Sequence, residues 1–321
     1  MRNRRGVALL TALWLVVAIA AVVLEFSLEA KERRQLGIDT AERGVARAAA
    51  AGALATVHAK LDYALRTAPN TNRPNIEQLR SSDPWLDVDT LYSGHYLVDS
   101  ISVDVRARDL GTQLNVNTLA EAELRTFFSF LLNDYATADK LAQSIMDYRD
   151  ADDMPRARGA EKDDYVKAGL LALPQNGPFR EVEDLLQVMG MTPEIYAIAR
   201  PFLTTRGTGF VNLNTAPAVV LRALPNMTDV LLAQILSLRS GGRRITSVNQ
   251  VFLSANRGRP AAVQAAAQAA ASRLSNRTTV DTREVELTFI ARASAHAHAT
   301  RLMAIVERSA PTLATLEWKQ W

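Results

Sequence analysis

Between Val7 and Leu24 the chain holds eighteen uncharged residues, with Thr11 as the only clearly polar one. At about 1.5 Å per residue, a helix over this run is roughly 27 Å long, close to the thickness of a bilayer core. The segment is expected to span a membrane. Arg2, Arg4 and Arg5 precede it, which favours a cytoplasmic N-terminus and places the body of the chain beyond the membrane. From Glu25 to about Leu65 the sequence has no proline and is rich in Ala, Leu, Arg and Glu, so the helix continues: 7–24 is its membrane half and 25–65 its outer half.

Three readings compete for the N-terminus. A cleaved secretory signal could use Ala18-Ile19-Ala20, but no polar, helix-breaking region follows. An ordinary signal anchor is the second. The third is a leader, 1–6, that ends at Gly6, with the apolar helix retained from Val7. A glycine offers a small, flexible residue at the bond a membrane-embedded peptidase must approach, and this reading alone accounts for arginines that stop at one glycine. Beyond the membrane half, Leu28, Ile38, Ala41, Val45, Ala48, Gly52, Ala55 and Leu61 recur near helical spacing, a stripe on which a globular domain could lie. Gly37, Gly44 and Gly52 point to close packing or to plain tolerance of glycine.

The 321 residues allow one large or two modest cores. A net charge of +3 gives little reason to expect a polyanionic partner, and the absence of cysteine excludes disulfides and thiolate chemistry. After a Pro/Asn/Ser-rich stretch from Arg66 to Gly94, Tyr96 to Arg108 alternates, with Ile101, Val103, Val105 and Ala107 on one face. That predicts a half-buried strand. Val285, Leu287, Phe289 and Ala291 alternate in the same way, and Arg301–Glu307 and Leu313–Trp318 add two more strands. The sequence between reads as helices. The expected fold is α+β: a long N-terminal helix on an antiparallel sheet begun in 66–112 and completed by 281–321, with a large all-helical domain, 113–280, inserted between strands.

Within the insert, Leu114-Asn115-Val116-Asn117-Thr118 is echoed by Val211-Asn212-Leu213-Asn214-Thr215. The side chains could cap the helices that follow, or the repeats could be DNA-binding helical hairpins. Hairpins that hold phosphate need glycines in the turn, and the turns read Pro225-Asn226-Met227-Thr228 and Gly190-Met191-Thr192. Gln113 to Arg206 also carries fifteen acidic and ten basic residues, which repels phosphate. Nucleic acid is therefore not the expected partner. Carboxylates crowd Asp147–Asp153 and Glu161–Asp164 with no histidine or cysteine among them; that chemistry suits a hard cation such as calcium or simply a solvated acidic loop. No nucleophile elbow, phosphate loop, dinucleotide fingerprint or zinc-protease motif occurs, and His296 and His298 lack an obvious third ligand. The chain reads as a non-enzyme.

Arg5-Gly6-Val7-Ala8-Leu9-Leu10-Thr11, Asp150-x-Asp152 with Pro155 and Gly159-Ala160-Glu161, Gly177-Pro178-Phe179 to Tyr196, Asn212 to Pro217 and the C-terminal strands occur in one order. Together they resemble the K-type minor pseudopilins of bacterial type II secretion. The resemblance implies cleavage between Gly6 and Val7 by a prepilin peptidase, N-methylation of Val7, and a single-pass inner-membrane protein with a periplasmic body. It implies partners as well: minor pseudopilins of the I and J types in a tip complex, the major pseudopilin, secreted substrates and the secretin. Calcium in the helical insert is implied too, with Asp150, Asp152, Glu161, Asp163 and Asp164 as its candidate ligands. Lys162 interrupts what looks in the family like an unbroken acidic run. The alternative within the same anchor class is a DNA-binding minor pilin using the hairpin-like repeats. Thr11 would be the fifth mature residue, where resembling pilins mostly carry glutamate. A bilayer carboxylate needs a partner, and a subunit with no neighbour above it offers none, so threonine fits a tip subunit.

Overall fold

The computed structural model describes residues 4–67, 85, 88–295, 297–309 and 312–320. Of the Pro/Asn/Ser-rich stretch from Arg66 to Gly94, residues 68–84 and 86–87 lie outside this description, as does His296. Helix α1 runs Arg4–Thr67 without interruption. Among the described residues it is the one helix long and apolar enough to cross a membrane, and none of that apolar window is buried. The side chains of Val7 and Thr11 lie outside what is described.

After the short α2 (Val88–Tyr92) come β1 (Gly94–Val98) and β2 (Ile101–Asp109). The single strand expected from Tyr96 to Arg108 is in fact a hairpin. Val98 pairs with Ile101, and Asp99 and Ser100 between them have φ of 46° and 71°, the double positive φ of a two-residue turn that follows strand twist. Asp-Ser is not the usual Asn-Gly signature, so the turn left little trace in the sequence. Strands β7 (Glu284–Ala291), β8 (Thr300–Ser309) and β9 (Thr312–Gln320) complete an antiparallel sheet of order β1-β2-β7-β8-β9.

Val103, Val105, Ala107, Val285, Leu287, Phe289, Leu302, Ala304 and Val306 face α1 and are buried. The helix meets them with Ala46, Ala49, Ala50, Ala53, Leu54, Val57, Leu61 and Ala64. Of the stripe expected from sequence, Leu61 alone is buried; Leu28, Ile38, Ala41, Val45, Ala48 and Ala55 are exposed. The sheet covers only the last five turns or so of α1, and there it approaches along an alanine seam, so larger apolar residues nearer the N-terminus did not mark the packed face. Gly52 sits at the edge of this seam: a Cβ would come 2.9 Å from Val98 Cγ1. Gly37 and Gly44 have open space around them.

The insert leaves the sheet after Asp109 and returns at Glu284, and it is built from two similar units. The first contains β3 (Leu114–Asn115), α3 (Glu121–Leu132), α4 (Tyr135–Arg149), α5 (Lys162–Lys167), α6 (Pro193–Ala199) and β4 (Leu203–Thr204). The second contains β5 (Val211–Asn212), α7 (Ala218–Arg222), α8 (Asp229–Ser240), α9 (Val248–Ala255), α10 (Ala261–Ser275) and β6 (Thr278–Thr279). Each unit closes by a two-residue parallel pair, β3 with β4 and β5 with β6, and among the described residues these ties are the only strands of the insert.

The repeated Asn-x-Asn phrase does something other than capping. Ala120 and Pro217 precede the helices without side-chain capping bonds. Instead Asn115 and Asn212 each accept the N–H two residues on, at 2.9 and 3.0 Å. Asn117 clamps Phe179 and Thr205 through their backbones, and Asn214 clamps Ile245 and Val280. An arginine ending the second helix of each unit, Arg149 or Arg239, donates to carbonyls of the same turn. Buried backbone groups that no helix or sheet satisfies are thereby paired.

Candidate metal site

The two units differ most between α4 and the chain's return at Phe179, where only the first carries a long acidic loop. Asp134 caps α4, accepting from Ala136 N–H at 2.9 Å, and the helix delivers Asp147 and Asp150 at its far end. Asp147 is fully buried and accepts from the backbone and guanidinium of Arg156; the same guanidinium reaches Asp150 Oδ2 at 2.6 Å and Glu121 at 3.5 Å. The loop returns so close to Asp147 that a Cβ on Gly159 would stand 1.8 Å from Asp147 Oδ2. Asn176 ties the outer rim, donating to Asp153 Oδ1 at 2.9 Å and to the Asp152 carbonyl at 3.2 Å.

Asp150, Asp152 and Glu161 converge, each offering a carboxylate oxygen within 4.8 Å of the others. Glu161 is buried, and among the described residues no donor reaches either of its oxygens, nor Asp150 Oδ1. Burial first, and then the fields of Asp147, Asp150, Asp153 and Asp152, push the Glu161 carboxyl up to about 7. A buried carboxylate with no donor and four acidic neighbours is at rest only when protonated or when a cation stands beside it. The all-oxygen donor set suits calcium, which takes six to eight oxygens in an irregular shell.

Of the five ligands expected from sequence, Asp163 and Asp164 fall outside this cluster. Helix α5 begins at Lys162, which turns Asp163 out to solvent and sets Asp164 to accept the Glu161 N–H at 3.1 Å. Arg156 neutralises the inner carboxylates, as the arginines interspersed in the acidic segment lead one to expect; the part of Gly159, which lets the loop close, is what sequence reasoning missed. The hairpin-like stretches present no phosphate cradle: Gly190 has φ +93° and packs against Leu141, and the other turn contains Asn226 at φ +61° but no glycine. His298 is exposed.

A second buried carboxylate joins insert to sheet. Asp109 ends β2 and is 3% exposed. Its Oδ1 accepts from Gly111 N–H at 2.8 Å, and its Oδ2 from Asn212 Nδ2 (2.9 Å), Thr215 Oγ1 (2.8 Å) and Thr282 Oγ1 (3.0 Å). Beside it, Leu110 packs on Met303 and Ile305, and Glu284 accepts from the N–H and hydroxyl of Thr208.

A long helix laid on an antiparallel sheet, with a duplicated helical insert between two neighbouring strands, defines a pilin-like protein with an enlarged head. Residues 110–207 match the first domain of the family described as type II secretion system protein K. A putative type II secretion system protein K from Escherichia coli K12 is 26% identical over 237 residues, taking in 66% of this chain and 65% of that protein, just under two thirds of its length. The crystal structure of the GspK-GspI-GspJ complex from enterotoxigenic Escherichia coli contains a chain that superposes with a TM-score of 0.63 at 18% identity, covering 91% of this chain and 99% of that one. The expected resemblance to the K proteins of type II secretion is thus met, in sequence through the first unit of the insert and in fold through nearly the whole chain.

Proposed function

We propose that this chain is a minor pseudopilin at the tip of a type II secretion pseudopilus, where it helps initiate assembly and the export of folded proteins across the outer membrane. The observation that carries the reading is the two-unit insert between β2 and β7 on a pilin frame. A head of that size suits the end of a fibre and collides with neighbours inside one. The solved complex holding the similar chain contains GspI and GspJ, and I- and J-type minor pseudopilins are accordingly the proposed partners here. The apolar half of α1 fits a single-pass inner-membrane anchor, with the body in the periplasm. Cleavage after Gly6, methylation of Val7 and threonine at position 11 complete the proposal, in which the chain acts by assembly and carries out no catalysis.

One preparation tests position and processing together. Purified pseudopili bearing a labelled copy of this chain are expected to show label at fibre ends, and mass analysis of the same copy to show a methylated Val7. Label along the shafts contradicts the tip position; an intact Met1 or a start at Ala21 contradicts the pilin reading.

Calcium at Asp150, Asp152 and Glu161 belongs to the same proposal, with the ion holding together a loop that otherwise gathers like charges. The pH dependence has a definite sign. The folded-state pKa of Glu161 lies above 4.5, so between about 4.5 and 7 the cation-free folded chain binds more protons than the unfolded one, and its stability falls as pH rises through that window. Calcium favours the ionised form. Calorimetry of calcium binding near pH 6, in buffers of different ionisation enthalpy, should therefore report release of close to one proton, declining towards zero above about pH 8. Glu161→Gln should abolish the release. Binding with no proton release at pH 6 would sink the role given to Glu161.

A further inference from the structure

The net charge of +3 conceals a polarised insert. The first unit is acidic, as counted above, whereas 211–283 holds nine arginines, two aspartates and neither lysine nor glutamate, net +7. Five of these arginines are engaged within the chain. Arg239 donates to carbonyls; Arg222, Arg244 and Arg277 pair with Asp229, Asp281 and Glu123; Arg283 lies over the Phe210 ring. Arg243, Arg257, Arg259 and Arg273 are exposed and make no ion pair among the described residues.

Their placement is not random. The five-residue connection 256–260 folds α10 back along α9 as a helical hairpin. Arg257 and Arg259 stand at the connection, while Arg273 stands in the last turn of α10, at the other end. Along α10 the two ends are about 20 Å apart. Between them Ala262, Ala266 and Ala269 recur in step with Arg273 at helical spacing and are exposed. Small side chains let a second element approach the helix closely.

We propose that this face docks an acidic partner protein through a helix whose carboxylates lie at its two ends, closing on Arg257 and Arg259 at one end and on Arg273 at the other, with the alanine face between them. The distribution of charge argues for a protein over a nucleic acid. A phosphate backbone is charged along its whole length and calls for cations along the whole contact; here the cations stand at the ends and the middle is apolar. Arginine also matches carboxylate geometry with two parallel donors. This surface does not depend on the tip assignment.

The test uses the full-length chain in nanodiscs of phosphatidylcholine and a labelled alanine-based helical peptide bearing glutamate pairs fourteen residues apart, the separation of Arg259 and Arg273. Fluorescence anisotropy should show binding that weakens steeply between about 50 and about 300 mM salt. R257E/R259E/R273E, and separately A266E, should each weaken it at least about tenfold, while the charge-matched R43E/R292E/R301E changes it less than about twofold. All these positions are exposed, and unchanged thermal unfolding confirms that the variants fold. The proposal is overturned if R257E/R259E/R273E binds as tightly as the parent, if the control triple loses as much, or if duplex DNA or phosphatidylglycerol vesicles bind these arginines more tightly than the peptide does.

Discussion

Asp109→Ala should destabilise the chain by about 3–5 kcal/mol, because the substitution leaves four donors at a buried site with no acceptor. The donors come from three places: Gly111 at the start of the insert, Asn212 and Thr215 at the start of its second unit, and Thr282 at its return. Removing the carboxylate therefore loosens the junction as a whole. For units of this size the expected fall in melting temperature is about 10 °C. A further expectation is that the parent unfolds in a single thermal transition and that the substitution splits it into separate steps for insert and sheet, which have separate cores. Asp109→Asn refines the account. Both threonine hydroxyls can rotate to accept from the new amide, but Asn212 cannot turn its amide round, since its oxygen is held by Asn214 N–H. One donor facing another should cost about 1–2 kcal/mol, clearly less than alanine. Calorimetry on the three proteins in detergent distinguishes these outcomes; an alanine variant within about 0.5 kcal/mol of the parent would show that Asp109 is not the junction's anchor.

Gly159→Ala is expected to be nearly as damaging, for a steric reason. The added Cβ would lie 1.8 Å from Asp147 Oδ2 and 2.7 Å from Asp147 Cγ, so either the loop or the aspartate must move. Asp147 has little freedom, being fully buried and held by Arg156. The loop will yield, at a cost of about 2–4 kcal/mol. Glu161 follows Gly159 by two residues, so its displacement should also separate it from Asp150 and Asp152 and weaken calcium binding at least about tenfold. The measurement is a calcium titration beside thermal unfolding. If Gly159→Ala leaves both unchanged, the tight return of the loop is not what assembles the carboxylates.

Much of the frame was legible in the sequence because one period governed each piece. The alternation at Val103, Val105 and Ala107 and at Val285, Leu287 and Phe289 reports a sheet with one face against a helix, and the uncharged run at the N-terminus became a helix long and apolar enough to cross a membrane. The acidic loop was legible as a concentration of charge. What stayed hidden depended on contacts between distant residues. The hairpin at Asp99-Ser100 uses two left-handed residues that no glycine announces. The seam on α1 is made of alanines, whose apolar signal is weak beside the exposed leucines and valines of the same helix. Asp163 and Asp164 looked equivalent to Glu161 until the helix start at Lys162 rotated one outwards and engaged the other. The Asn-x-Asn phrase was visible as a repeat, but its use as a clamp required partners more than thirty residues away.

The strands that bracket the insert are immediate neighbours: Asp109 pairs with Val285 at the last rung of the β2–β7 ladder. The whole head, some 170 residues, is thus mounted on the frame at a single doorway one strand spacing wide. Mechanically this is a fork with two parallel tines. A push along the tines compresses two strands already held in register by their neighbours on either side. A pull that parts the tines meets first the Asp109 bonds and the rung at the doorway, then the next rung, opening the ladder bond by bond. Such a mount bears thrust far better than it bears being pulled open, and its weakest point under tension is the junction that Asp109 closes.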